Sequence, residues 1–248
     1  MLLAHAWWLP IAVAPIIGSF LSVLVMRWPQ GRTVVWGRSA CPHCGHVLQP
    51  LDLVPIASWL GLRGRCRYCA ARLPLLYPLL ELGGIVIAAS AALTATGWVA
   101  WASCGLGWCL LTLAAIDWRD GLLPDALTLP LAPAGIVVAY LEDPVALIPH
   151  VIGAAAGFAI FALIRLGYRL LRGREGMGFG DAKLLAAAGA WVSWEGLPSV
   201  VLVGSLATLA WIAAAGLAGR RPRLTSAIPF GPGLCLGTWV IWLMGPLF

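Results

Sequence analysis

The sequence has 248 residues, of which 61% are hydrophobic and only 10% charged, with a formal net charge of +6. Soluble domains are roughly 25% charged, so these few charges cannot cover a water-facing surface and a soluble globular protein is excluded. Apolar stretches of about 20 residues, enough to cross a bilayer as a helix, recur along the chain. The composition therefore predicts an all-α integral membrane protein.

The first apolar segment, from about Trp8 to Met26, is predicted to be a membrane helix rather than a removable signal peptide. A signal peptide begins with basic residues, whereas the first basic residue here, Arg27, follows the apolar segment. The first predicted domain is this single membrane helix, residues 1–27.

Residues 28–72 are richer in Arg, Pro and Cys than the rest of the chain, and they are predicted to form a small insert outside the membrane. The insert contains Cys41-Pro-His-Cys44 and Cys66-Arg-Tyr-Cys69. The distance between these two pairs is typical of a tetrahedral zinc site with four cysteine ligands. So small a module has little core of its own, and bound Zn²⁺ would therefore supply free energy for its folding.

Two alternatives to a zinc site with four cysteine ligands are open. Redox chemistry or disulfides fit poorly, because the charge pattern described below places the insert in the reducing cytosol. His43 and His46 are possible replacements for a cysteine ligand, although exposed histidines without a ligand role are the simpler interpretation. Gly45 and Ala70 directly follow the two cysteine pairs, where the backbone is expected to turn tightly.

Seven further membrane helices are predicted in the third domain, residues 73–248. The apolar run from Leu73 to Ile116 is long enough for two helices that turn near Gly97. The other five are predicted at about 122–141, 145–164, 179–194, 197–217 and 228–247. About eight membrane helices are therefore expected in total.

The basic residues test this division into eight spans. Every Lys and Arg lies in connections on one side of the membrane, which are residues 27–72, Arg119, 165–183 and 220–223. The opposite connections hold three acidic residues and no basic one. The positive-inside rule therefore places the basic connections and the insert in the cytoplasm, with both termini outside. Topology alone accounts for the positive charge, so no nucleic-acid partner is expected.

Five acidic residues lie within or at the ends of the predicted spans, where an ionisable group is costly and is a candidate functional residue. They are Glu81, Asp117, Asp120, Asp125 and Asp181. Asp117 ends one span and Asp181 begins another, at the same predicted membrane face. Two carboxylates in contact would share one proton, and such a pair can activate a water for attack on a carbonyl.

The alternative for each aspartate is a helix-end residue that pairs with a neighbouring cation, Arg119 or Lys183. Gly178 and Gly180, which precede Asp181, favour the functional interpretation. Glycines let a backbone approach a substrate closely and permit a non-helical entry to the span.

Four blocks of the sequence together point to a known family. They are Gly18-Ser-Phe-Leu-Ser-Val-Leu with Arg27-Trp-Pro29, the two cysteine pairs with Tyr77-Pro-Leu-Leu-Glu81, Ile116-Asp117-Trp-Arg-Asp-Gly-Leu-Leu-Pro-Asp125, and Gly178-Phe-Gly-Asp181-Ala-Lys183. These blocks resemble the type IV prepilin peptidase family, which combines a leader peptidase with an N-methyltransferase. The match covers most of residues 18–190.

This resemblance implies an aspartyl endopeptidase of the bacterial inner membrane with Asp117 and Asp181 as its catalytic pair. It implies cleavage of the basic leader of prepilin or pseudopilin precursors, typically after Gly, and methylation of the new N-terminus with S-adenosylmethionine. Supporting roles are expected for Asp125, Gly178, Gly180, Lys183 and Glu81. For Glu81 two interpretations are open, a role at the methyl donor's site or a buried hydrogen-bonding partner.

A different class of function is an ion- or proton-coupled transporter that uses Asp117, Asp125 and Asp181 as carriers. Transporter sites usually lie near the bilayer midplane, whereas these aspartates are predicted near one face. A membrane scaffold built around the zinc insert is a third class, and it would leave the two aspartate blocks unexplained.

Overall fold

The computed structural model describes residues 7–34, 38–173, 178–219 and 229–248. Over these residues the secondary structure is helical, and extended pairing is limited to two isolated bridges. The helices are α1 Leu9–Arg27, α2 Ala57–Gly61, α3 Leu76–Thr94, α4 Gly97–Asp120, α5 Asp125–Glu142, α6 Leu147–Arg172, α7 Phe179–Leu217 and α8 Gly231–Met244. Short 3₁₀ turns cover Trp28–Gln30, Pro50–Leu53 and Pro144–Ala146. The predicted all-α class is confirmed.

Six of the described helices are long and apolar enough to cross a membrane, namely α1, α3, α4, α5, α6 and α7. Helix α8 is apolar but shorter, with 14 residues. The chain is therefore a multi-pass membrane protein, as its composition predicts. The basic connection 220–223 and Ile228, the predicted start of the last span, lie outside the described residues.

Helix α7 is not one straight rod. Ser193 within it has φ 61° and ψ 179°, which interrupts the helical geometry. Trp118 packs against Trp211 in the second half of α7, with ring centroids 4.6 Å apart. The neighbouring Asp117 interacts electrostatically with Asp181 in the first turn of the same helix. Since a straight helix would separate residues 181 and 211 by about 45 Å, the chain must fold back at Ser193.

The two halves of α7 correspond to the sixth and seventh predicted spans. When they are counted separately and α8 is added, the described residues contain eight apolar helical segments, whereas six whole helices have the length and composition to cross a membrane.

The chain forms two compact units, residues 1–112 and 113–248. The first contains the insert, α1, α3 and most of α4, and the second contains the end of α4 with α5 to α8. The three domains expected from the sequence, 1–27, 28–72 and 73–248, stay a prediction.

In the first unit, α1 and α3 approach each other at glycines. A Cβ atom at Gly18 would lie 2.5 Å from the Cα of Glu81, and one at Gly84 would lie 3.1 Å from the carbonyl oxygen of Ala14. The indole of Trp108 on α4 donates a 3.1 Å hydrogen bond to the carbonyl of Gly84. Small residues allow membrane helices this closeness. As a result, Glu81 is buried against α1.

In the second unit, glycines spaced four residues apart set the helix contacts. Gly153 and Gly157 of α6, and Gly233 and Gly237 of α8, lie directly against the backbone of α7. The Gly-x-x-x-Gly spacing is typical of closely packed membrane helices. It is visible in the sequence and indicates which helix faces can pack closely, but it does not identify the partner helix.

Candidate active site and metal centre

Asp117 lies in the last turn of α4, and only 7% of the residue is exposed. Its Oδ2 accepts a 3.0 Å hydrogen bond from the backbone N–H of Gly231, the first residue of α8. The N-terminus of a helix has unpaired N–H groups and a partial positive charge, and it therefore suits a carboxylate. The start of α8 thus holds Asp117 in place.

Gly231 is absent from the site residues predicted above. A Cβ atom at this position would lie 2.6 Å from Oδ2 and 3.0 Å from Cγ of Asp117, so a larger residue would push the carboxylate away. The sequence does contain a signal, because Gly231-Pro232 stands at the start of an apolar segment and Pro is favoured in the first helical turn. This signal predicts where a helix begins, but it does not predict that the helix start contacts Asp117.

Asp181 lies in the first turn of α7 and is 8% exposed. Its N–H donates to the carbonyl of Gly178, which precedes the helix in an extended conformation. A Cβ atom at Gly180 would lie 2.8 Å from Cβ of Leu123, so this glycine lets the first turn of α7 lie against the α4–α5 loop. Asp117 and Asp181 are close enough for their charges to interact. The structure therefore buries both predicted aspartates and places them within range of each other's charge.

The cation that follows Asp181 in sequence pairs with a different carboxylate. Lys183 Nζ lies 2.6 Å from Oδ1 of Asp125 at the start of α5. The alternative in which Lys183 neutralises Asp181 therefore has no support from this ion pair. In the last turn of α4, Arg119 Nε lies 3.7 Å from Oδ2 of its neighbour Asp120.

Glu81 belongs to the first unit and is only 6% exposed. Its Oε2 accepts a 2.7 Å hydrogen bond from the backbone N–H of Ile56 in the insert, and the carboxylate is also hydrogen-bonded to the side chain of Ser19 on α1. Glu81 thus connects α1, α3 and the insert. Of the two interpretations open for this residue, these contacts support the buried hydrogen-bonding partner.

The four cysteines of the insert converge. Their sulfur atoms all lie within 4.8 Å of one another, and the Sγ atoms of Cys41 and Cys69 are 3.9 Å apart. A tetrahedral Zn²⁺ with bonds of about 2.3 Å to sulfur places its ligands about 3.8 Å apart. The donor set and its spacing therefore fit a zinc ion held by Cys41, Cys44, Cys66 and Cys69.

Both cysteine pairs are built on the same backbone turn. Gly45 donates its N–H to the carbonyl of Cys41, and Ala70 donates its N–H to the carbonyl of Cys66, each at 2.9 Å. Gly45 has φ 70° and Ala70 has φ 56°. The tight turns expected at these two positions are therefore present. At Ala70 the left-handed conformation is adopted by a residue with a Cβ, which costs energy.

Asp52 links the two halves of the insert, and only 4% of its side chain is exposed. Its Oδ1 accepts a 2.7 Å bond from Arg67 Nε, and its Oδ2 accepts bonds from the Tyr68 hydroxyl and the Gln49 N–H. Burial raises the pKa of Asp52, but the hydrogen bonds from Arg67, Gln49 and Tyr68 outweigh it and hold the pKa below its usual value. The ring of His46 stacks on Tyr68, with centroids 3.6 Å apart. This network braces the second cysteine pair.

Two protein-family models match this chain, one over the segment with the cysteine insert and one over the segment with the two buried aspartates. Residues 12–95 match the bacterial peptidase A24 N-terminal domain, and residues 104–213 match the type IV leader peptidase family. The chain belongs to the type IV leader peptidase family. Both buried aspartates, Asp117 and Asp181, fall within the second match, and the four-cysteine cluster falls within the first. Gly231 and helix α8 lie beyond both.

Relatives in this family resemble the chain over nearly its whole length. A protein of Burkholderia pseudomallei (strain 1026b) is 42% identical over 92% of the chain and 82% of its own length. Proteins of Aeromonas hydrophila and Pseudomonas putida are 39% and 35% identical, over 87% and 88% of their own lengths. All three are named prepilin leader peptidase/N-methyltransferase. No solved structure matches the chain.

Proposed function

We propose that this protein is a prepilin peptidase, an aspartyl endopeptidase of the bacterial inner membrane. It cleaves the basic leader from prepilin or pseudopilin precursors and methylates the new N-terminus. The observation that carries this proposal is the convergence of Asp117 and Asp181, two buried carboxylates on different helices. The family to which the chain belongs agrees with this chemistry.

In the proposed mechanism the two aspartates hold one proton between them and activate a water. Asp117 accepts a hydrogen bond from the backbone N–H of Gly231 at the start of α8, and this contact suits a charged carboxylate. We therefore assign Asp117 the role of base. It takes a proton from the water while the oxygen of that water bonds to the scissile carbonyl carbon. Asp181 gives its proton to the carbonyl oxygen. The tetrahedral intermediate then collapses as its C–N bond breaks. The departing amine takes the proton from Asp117, and a hydroxyl of the intermediate returns a proton to Asp181, which restores the starting pair.

The proposed site of cleavage is the cytoplasmic face of the membrane. Basic connections are retained on that side, and both aspartates lie at helix ends that adjoin such connections in the predicted topology. A precursor that keeps its basic leader in the cytoplasm and inserts the following apolar segment would present its cleavage site at this depth.

Two cofactors belong to the proposal. Zn²⁺ would be held by the four cysteines and would stabilise the insert without taking part in the cleavage. S-adenosylmethionine is proposed as the methyl donor on the names of the relatives alone. No step of the peptidase reaction passes through either group.

The zinc proposal is tested by metal analysis of the purified full-length protein. We expect about one zinc per chain in the parent and a loss of zinc when Cys41→Ser and Cys44→Ser are combined. Replacement of two membrane cysteines, Cys104 and Cys235, by alanine serves as the matched control and should leave the metal content unchanged. A parent protein without metal would remove this part of the proposal.

The peptidase proposal is tested by cleavage of a precursor with a basic leader, a Gly before the cut and an apolar segment after it. Asp117→Asn and Asp181→Asn keep the shape of the side chains but cannot carry the shared proton. We expect each variant to insert normally and to lose cleavage. Asp120→Asn, in the same helix end as Asp117, is expected to cleave at the parental rate. Parental cleavage by either Asp117→Asn or Asp181→Asn would overturn the catalytic pair and favour a transporter.

A further inference from the structure

Two contacts join the α4–α5 loop and the first residue of α5 to the start of α7. The backbone of Gly180 packs against the side chain of Leu123, and the ammonium of Lys183 pairs with the carboxylate of Asp125 at 2.6 Å. This loop directly follows the helix that carries Asp117, and the turn of α7 carries Asp181. The contacts therefore connect the two segments that supply the aspartate pair.

The side chain of Lys183 is restrained on two sides. Its Nζ lies 2.6 Å from Asp125 Oδ1 and 4.9 Å from the centroid of the Phe179 ring, and only 19% of the side chain is exposed. An ammonium over an aromatic face is attracted by the ring. The guanidinium of Arg165 lies over the same ring at 5.2 Å. Lys183 is thus fixed rather than free to explore solvent.

The position of Lys183 also excludes a direct partnership with Asp181. Residues two apart on a helix point to nearly opposite sides, so the lysine side chain is directed away from the carboxylate two residues earlier. The side chain of Asp125 is 57% exposed, and an ion pair with one partner this exposed contributes little to overall stability. Any large effect of this pair must therefore come from geometry.

We propose that Asp125 and Lys183 form a clamp that sets the separation of Asp117 and Asp181. Both are positioning residues, since neither touches the water or the scissile bond in the mechanism above. The pair ties the start of α5 to the start of α7, and the short loop behind Asp125 transmits this restraint to Asp117. This inference rests on the proposed peptidase function and adds a residue pair that governs its rate.

The test is steady-state cleavage of the same precursor by full-length protein in detergent, with Asp125→Asn, Lys183→Met and the double variant. Methionine keeps the length of the lysine stem and its contact with Phe179. Because small displacements of catalytic groups slow a reaction strongly, we expect each single variant to lower kcat about tenfold with KM within about twofold of the parent. The double variant should be no slower than the slower single variant, because both changes open the same clamp.

Three further measurements separate positioning from folding. Lys183→Arg, which keeps the charge, should retain most of the parental kcat. The midpoint of thermal unfolding should stay within about 2 °C of the parent in every variant, as expected for an exposed pair. Asp120→Asn, at the end of α4 just before this loop, should be unchanged in all readouts.

A parental kcat in Lys183→Met or Asp125→Asn would overturn the clamp, as would losses that multiply in the double variant or a lowered unfolding midpoint that accounts for the slower cleavage. The proposed function is judged separately by Asp117→Asn in the same assay. If Asp117→Asn is inactive while Lys183→Met cleaves normally, only the clamp fails. If Asp117→Asn cleaves normally, the peptidase assignment fails as well.

Discussion

The backbone N–H of Ile56 donates a 2.7 Å hydrogen bond to Oε2 of Glu81, and this bond ties the cysteine insert to helix α3. Ile56 has φ 60° and ψ −52°, and the N–H of Ala57 lies 2.5 Å from the carbonyl oxygen of Pro55. These values describe a γ-turn with a β-branched residue at its centre, a conformation that is rare and costs about 1–3 kcal/mol. The buried carboxylate of Glu81 holds the N–H of this strained residue.

We expect Glu81→Ala to loosen the insert. The Ile56 N–H would lose its partner, which costs about 1–3 kcal/mol, and the strained turn would relax. Trypsin, which cuts after arginine, should therefore digest the insert several-fold faster than in the parent. Glu142→Ala, at the exposed end of α5, is the control and should be digested at the parental rate.

A second change tests the strain itself. Glycine adopts positive φ without penalty, so Ile56→Gly in the Glu81→Ala background should recover part of the lost protease resistance. If Glu81→Ala is digested no faster than the parent, the hydrogen bond to Ile56 does not hold the insert.

The contact between Gly231 and Asp117 predicts that Gly231→Ala will impair cleavage. The new Cβ atom would displace the carboxylate that accepts the Gly231 N–H, and a misplaced catalytic group costs on the order of 10²-fold in rate. The measurement is kcat for precursor cleavage. Gly216→Ala in α7 is the matched control, because a Cβ atom there would have open space. Equal rates in the two variants would show that the approach of α8 to Asp117 is not needed for catalysis.

The turns that follow the two cysteine pairs predict that Ala70→Gly will stabilise the insert and that Gly45→Ala will destabilise it. Ala70→Gly relieves a left-handed alanine, and Gly45→Ala introduces one, so each should change the stability of the insert by about 1 kcal/mol, with opposite sign. The measurement is the chelator concentration that removes half of the metal. Ala70→Gly should raise this concentration and Gly45→Ala should lower it. A lowered value for both variants would contradict the turn geometry.

The contacts of the α6 glycines predict that replacing glycine by alanine will lower the thermal stability at one position of this helix and not at another. Gly153→Ala would force α6 away from the α7 backbone near the turn at Ser193, and overpacking of this kind costs about 1–3 kcal/mol. Gly167→Ala, in the same helix, meets open space and should be neutral or slightly stabilising, since alanine favours the helix. Thermal unfolding in detergent compares the two. A higher or unchanged midpoint for Gly153→Ala would argue against the close packing.

The features that could be predicted from the sequence are local ones. Apolar length predicts each membrane segment, including the two halves of α7, because the polar Glu195 and the neighbouring Gly196 interrupt the apolar run there. The spacing within each cysteine pair predicts the four-cysteine cluster, since two intervening residues let both sulfurs reach one ion.

The partners across the fold were decided by tertiary structure alone. Gly231 meets Asp117 across 114 residues of chain, and Lys183 meets Asp125 across 58. Hydropathy cannot predict such pairs, because membrane helices are apolar on nearly every side and the lipid favours no particular neighbour. Which helices touch depends on where small residues permit close backbone approach. The sequence by itself thus determined a multi-pass membrane protein with two carboxylates at helix ends, and the packing of α7 and α8 decided which groups surround them.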